Sequence, residues 1–149
     1  MPSYLQIENI SKSYGPKILF DKIAFNINEG DKIALIAPNG AGKTSLLNIL
    51  AGKDKSDSGG SVRFLRDIRI FFLEQEYSFS PDKTVAEQLF TDDFEQEILA
   101  KRFLTELNID FTKKMSELSG GEIKRVAIAE MLASNSDFLV MDEPTTTLI

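Results

Sequence analysis

The sequence predicts an α/β domain, and three features point to that class. A segment of alternating apolar and polar residues opens the chain. An apolar run, KIALIA, leads into a glycine-rich turn and then a helical pattern. A second apolar run, FLVM, ends on two carboxylates. Apolar runs that feed turns and helices are the pattern of strands buried between helical layers.

Each element follows from local pattern. Residues 4–10 (YLQIENI) alternate, with Leu5, Ile7 and Asn9 on one side, and read as a strand. Tyr14-Gly15-Pro16 is a turn. Residues 23–27 (IAFNI) form a second strand, closed by the turn NEGD. Residues 32–37 (KIALIA) are apolar without alternation, which predicts a strand buried on both faces. In SLLNILAG, Leu46, Leu47, Ile49 and Leu50 line one helix face and Gly52 ends the helix. DKSDSGGS is a polar loop. Residues 61–64 and 68–73 are further strands, expected to pair as a hairpin.

Thr84-Val85-Ala86-Glu87 fits a capping box and starts a helix. Over residues 94–107, Phe94, Ile98, Leu99, Arg102, Phe103 and Leu107 recur at helical spacing, within an acidic, mostly helical insert. Ser119-Gly120-Gly121-Glu122 opens another helix that runs to about Ala133, with Ile123, Val126, Ala127 and Met131 inward. FLVM (138–141) is a buried strand.

Composition narrows the function classes. The 149 residues are the size of one domain, and 42% apolar content with 11 Phe can build a core. A chain of this length buries roughly 70% of its unfolded surface. The net charge of −6 gives no general field for nucleic acid, so direct nucleic-acid binding is not expected. There is no Cys and no His. That removes thiolate metal sites, disulfides and every histidine-based acid, base or ligand. No apolar run approaches the ~20 residues that span a bilayer, and the start lacks a signal-peptide pattern. No membrane insertion and a cytoplasmic location are expected.

APNGAGKT (37–44) stands between a strand pattern and a helix pattern. A loop that wraps a triphosphate needs inward amides and no obstructing side chains, which Gly40 and Gly42 allow. The helix N-terminus adds partial positive charge. Lys43 can reach the β- and γ-phosphates, and the Thr44 hydroxyl can ligate Mg²⁺. The nucleotide-binding candidates here are Asn39, Gly40, Ala41, Gly42, Lys43, Thr44 and Ser45. Ala37 stands where the general pattern has its first glycine, at a position where strand-like dihedrals tolerate alanine. At the end of FLVM, Asp142 is placed to hold Mg²⁺ through water, and Glu143 to orient or deprotonate an attacking water.

The ordered set SYG, APNGAGKT, LEQE, LSGGEIKR and FLVMDEPT resembles an ATP-binding cassette (ABC) ATPase domain. The resemblance covers nearly the whole chain and is weakest over about 91–110. It implies a P-loop NTPase fold with an N-terminal antiparallel β subdomain. It also implies a short helical subdomain, at about 76–117, inserted in one partial cassette spanning 1–149. It implies that Tyr14 stacks on adenine and that Gln75 touches Mg²⁺ or the attacking water. It implies that Ser119, Gly120 and Gly121 bind the γ-phosphate of an ATP held by a partner. The implied cofactors are ATP and Mg²⁺, and the implied partner is a second ABC cassette, in cis or in trans. LEQE looks most like the soluble ABC-F group, whose members carry two cassettes in one chain and are linked to ribosomes. A ribosome contact would then run through parts not in this chain.

After DEPT the ABC-F pattern continues Asn-His-Leu-Asp, where this sequence reads Thr146-Thr147-Leu148-Ile149. The expectation is therefore a cassette truncated after the carboxylate motif DEPT. Such a piece would bind ATP with little turnover. A non-catalytic nucleotide-binding or interaction module, and the cassette of a membrane transporter, are the alternatives.

Overall fold

The computed structural model describes residues 2–36, 42–74 and 76–142. They form two compact units that divide between Ile68 and Arg69.

The first unit is built on strands β1 (Ser3–Tyr14) and β2 (Lys17–Asn28), paired antiparallel. Gly15-Pro16 is a two-residue loop that sets Tyr14 opposite Lys17. Gly15 has φ 56, and proline holds its own φ negative, the glycine-first arrangement of tight hairpins. Strand β3 (Ser61–Phe64) pairs with the other edge of β1, giving the order β2-β1-β3.

Leu5 and Ile7 are buried as the alternation predicts, but Asn9 is not. The register shifts between Ile7 and Ile10, and Asn9 takes φ 52. This bulge turns Asn9 outward and buries Ile10 in its place.

Beyond Glu8 the β1–β3 ladder stops, and the polar loop after residue 53 takes over the free edge. Asp57 N–H donates to the Ser11 carbonyl at 2.8 Å, and Ser11 N–H donates to Ser56 Oγ at 2.9 Å. Ser13 N–H donates to Asp57 Oδ2 at 2.8 Å. The loop thus satisfies strand groups that a fourth strand would otherwise pair. Gly60 closes it at φ 78, where an added Cβ would lie 2.4 Å from the carbonyl oxygens of Glu8 and Asn9.

Helix α1 (Lys43–Leu50) buries Leu46, Ile49 and Leu50. It ends at Ala51, followed by Gly52 in the left-handed region at φ 75, the predicted stop.

One expectation fails here. The run at 32–36 is not a buried strand: Ile33, Leu35 and Ile36 are exposed, Ile36 by 90%, and no described strand pairs with it. An apolar run states what a strand would bury. It does not supply the neighbour whose N–H and C=O groups make the ladder.

The second unit carries strands β4 (Ile70–Leu73) and β5 (Phe138–Met141), paired parallel. The expected hairpin between β3 and β4 is therefore corrected, since the two belong to different sheets. SVRF alternates and suits the edge of an antiparallel sheet. IFFL is apolar throughout and suits a buried parallel pair. Asp67 at φ 62 redirects the chain between them.

Helices α2 (Val85–Leu89), α3 (Phe94–Glu106) and α4 (Gly120–Ala133) enclose the main core with a single 3₁₀ turn at Met115–Glu117. Val85, Leu89, Ala100, Leu104, Met115, Val126 and Ala129 are among its buried members. The Thr84 capping box is present with both of its hydrogen bonds.

The inner face of α3 differs from its large-residue pattern. Phe94 is 75% and Ile98 49% exposed, while Ala100 and Leu104 are fully buried. Counting bulky side chains passes over Ala100, and α3 packs against α4, whose Ala129 and Ala133 are likewise small and buried. Small residues let two helices approach. No helix among the described residues is long and apolar enough to cross a membrane.

Candidate nucleotide site

In the first unit the site is organised by Gly42, the N-cap of α1. Its φ of 95 lies in the left-handed region. A Cβ there would sit 2.9 Å from Leu19 Cβ and 3.3 Å from Phe20 Cδ1 on β2. Glycine is demanded twice, by dihedral and by space. With no side chain at the cap, no side-chain hydrogen bond closes the start of α1. The first three helical residues are Lys43, Thr44 and Ser45, so a cation and two hydroxyls stand where the amides and the dipole favour an anion. Asn39, Gly40 and Ala41, with Ala37 before them, lie outside the described residues.

Tyr14 ends β1 at the hairpin tip and is 60% exposed. In the second unit, Ser119 caps α4. Its Oγ accepts the Glu122 N–H and the Glu122 carboxylate accepts the Ser119 N–H, each at 3.2 Å. The Ser119 amide is the main reason the Glu122 carboxyl lies below its ordinary range. Capping uses an oxygen lone pair and leaves the hydroxyl proton to donate elsewhere. Gly120, the first helical residue, has no atom within 4 Å of an added Cβ. Its own unit does not require glycine there. Arg125 Nη1 donates to the Leu107 carbonyl at 3.0 Å and ties α4 to the end of α3.

Asp142 follows β5 and is half-buried. Its N–H donates to the Leu73 carbonyl at 3.0 Å, extending the β4–β5 pairing by one residue. Leu73 and Asp142 are thereby neighbours across the two strand ends. Gln75 and Glu143 themselves lie outside the described residues.

A family model described as ABC transporter matches residues 20–146. The chain belongs to this family. As an ABC cassette it is 32% identical to the uncharacterized ABC transporter ATP-binding protein YfmR of Bacillus subtilis, over 98% of this chain and 30% of that protein. It is also 32% identical to the ribosome protection protein VmlR of the same organism, over 97% of this chain and 27% of VmlR. The chain therefore spans less than a third of these curated relatives. Among solved structures it superposes on the dimeric, post-hydrolysis ATP-binding cassette MJ0796 bound to ADP and Pi. That match has a TM-score of 0.78 and 27% identity, over 97% of this chain and 76% of that one.

Two side-chain groups of this ABC cassette escaped the sequence reading. Lys12 Nζ lies 3.0 Å from Asp54 Oδ2, 3.5 Å from Asp57 Oδ1 and 5.9 Å from the centroid of the Tyr14 ring. The Asp54 hydrogen bond raises the Lys12 pKa, and the same bond lowers that of Asp54. In the second unit the Tyr77 hydroxyl donates to Glu130 on α4, and burial, then this bond, pushes the Tyr77 phenol well above its ordinary value. Period-2 spacing places Lys12 and Tyr14 on one strand face, a signal available in sequence. Nothing local pairs residue 77 with residue 130.

Proposed function

We propose that this cassette binds ATP with Mg²⁺ and, set head to tail against a second cassette in the same or another chain, hydrolyses it to ADP and phosphate. The observation that carries this reading is the start of α1, where a left-handed Gly42 is followed directly by Lys43 and Thr44. Amides of residues 39–45 would cradle the phosphates, Lys43 would neutralise the β- and γ-phosphates, and Tyr14 would stack on adenine.

The oxygen donors suit Mg²⁺. The Thr44 hydroxyl and the Asp142 carboxylate are hard oxygen donors of the kind that ion takes. Mg²⁺ sites that share substrate phosphates use one or two carboxylates and keep water. When bound, the ion would supply charge neutralisation at the phosphates. Gln75 would reach the same ion or the water, and Glu143 would orient the attacking water for in-line displacement.

Ser119, with its spare hydroxyl proton, and the amides of Gly120 and Gly121 would meet the γ-phosphate of the partner's ATP. The open space beside Gly120 supports close approach from outside the chain. Hydrolysis would remove the group that joins the two halves.

We read the stretch from about 76 to 117 as the helical subdomain of the cassette, and its setting as cytoplasmic. A ribosome-linked role of the ABC-F kind is supported by the likeness to VmlR. With net charge −6 on this chain, the contact would fall to other parts.

Calorimetric titration with ATP, with and without Mg²⁺, tests the reading. Saturable binding is expected, weakened about tenfold or more by Lys43→Ala, as for a charge-assisted phosphate contact. Binding that ignores Lys43, or none at all, refutes it.

A further inference from the structure

We propose that Lys12 is a positioning residue for Tyr14: clamped by Asp54 and Asp57, its ammonium lies over one face of the ring, 5.9 Å from the centroid, and leaves the other face to a purine base. The proposal rests on the nucleotide reading above and adds a residue to it.

The clamp is fully assigned. An ammonium has three donors, and oxygens of two carboxylates and a carbonyl surround this one: Asp54 Oδ2 at 3.0 Å and Oδ1 at 3.1 Å, the Lys55 carbonyl at 3.3 Å and Asp57 Oδ1 at 3.5 Å. No proton is left for a phosphate, so Lys12 does not act as a direct ligand. Its side chain is only 12% exposed, far less than Tyr14.

The Asp57 carboxylate is itself anchored to β1, and that of Asp54 accepts the Lys55 N–H at 2.8 Å within the loop. Asp57 accepts from Ser13 N–H at 2.8 Å and from Ser13 Oγ at 3.2 Å. Its own N–H donates to the Ser11 carbonyl. Thus the loop after α1 holds Lys12 from the strand that ends in Tyr14. An exposed tyrosine samples several rotamers, and a base that stacks on it must first order it. A ring already held by a cation loses less freedom on stacking. The cation also draws on the negative face of the ring, which eases face-to-face stacking on its far side.

Two measurements on the 149-residue chain decide the matter. The first needs no nucleotide. In proton NMR the Lys12 ε-methylene resonances should be shifted upfield by the Tyr14 ring current and return to their ordinary position in Tyr14→Ala. Unshifted resonances in the unsubstituted chain overturn the proposal, whether or not the chain binds ATP.

The second compares ATP with inorganic tripolyphosphate. Lys12→Met should raise the Kd for ATP about two- to fivefold, the scale of an exposed cation–π contact. It should leave the Kd for tripolyphosphate unchanged, and Lys12→Arg should restore ATP binding. In a Tyr14→Ala background Lys12→Met should add nothing. An equal loss for tripolyphosphate, or a loss that persists without Tyr14, overturns the proposal and makes Lys12 a loop support. A chain that binds neither ligand refutes the nucleotide reading, while the ring-current result still decides whether Lys12 holds Tyr14.

Discussion

Gly42→Ala is the sharpest perturbation available in the first unit. Two costs add. A left-handed φ of 95 strains any residue with a Cβ, by about 1–2 kcal/mol. The new methyl also meets Leu19 Cβ at 2.9 Å. That atom is fixed to the backbone and cannot rotate away, so overpacking adds about 1–3 kcal/mol. The sum is about 2–5 kcal/mol, unless the start of α1 moves and takes Lys43 and Thr44 with it. Gly52→Ala is the control, because φ is 75 there but nothing lies within 4 Å of the added atom. It should show the dihedral cost alone. Urea unfolding followed by amide exchange in β1 reads the stability of this unit, and at a slope of about 2 kcal/mol per molar the Gly42→Ala midpoint should fall by roughly 1–2.5 M. ATP titration reads the displacement. If Gly42→Ala costs no more than Gly52→Ala and leaves ATP affinity unchanged, the close approach of α1 to β2 is wrong.

Ser119→Ala removes an N-cap and should cost the second unit about 1 kcal/mol, measured by the same unfolding experiment. Leu104→Ala opens a cavity at a fully buried position and should cost about 2–5 kcal/mol, while amide protection in β1 stays unchanged. Acid should weaken the first unit. The Asp54 and Asp57 carboxyls titrate below their ordinary 3.8 in the fold, so their contribution is present above about pH 4 and is lost as pH falls through the lower folded values. The main cause is Lys12 for Asp54 but the Ser13 amide for Asp57. Lys12→Met should therefore raise the Asp54 pKa, followed by carboxyl NMR, more than that of Asp57.

Local signals in the sequence read well, and partnerships read poorly. The capping box at Thr84 and the N-cap at Ser119 were legible because their hydrogen bonds close within four residues. The Gly15-Pro16 hairpin and the stop at Gly52 follow from single-residue dihedral preferences. The Asn9 bulge, by contrast, breaks a period-2 pattern that holds on either side of it. The parallel pairing of β4 with β5 joins residues 68 positions apart, as Ile70 with Phe138, and neither strand names its partner. Of the candidate site, Gly42, Lys43, Thr44, Ser119 and Asp142 were legible as motif residues. Lys12 was not, because its meaning depends on a loop more than 40 residues away folding back onto β1.

In the second unit Ser119 and Asp142 are joined by continuous packing. Helix α4 is buried on two sides. Val126, Ala129 and Ala133 enter the helical core, while Ala127 and Met131 pack with Leu73 of β4. Leu73 in turn accepts the Asp142 N–H. A close-packed interior passes displacement on, because it has few voids to absorb it. Moving the β4–β5 pair must therefore press on Met131, and through α4 on the Ser119 cap. Tyr77, only two positions past Gln75, reaches Glu130 beside Met131 and reinforces the same route. If the proposed roles hold, a cassette that binds phosphate near Asp142 and offers Ser119 to a partner needs such a mechanical link, and the buried residues of α4 from Val126 to Ala133 supply it.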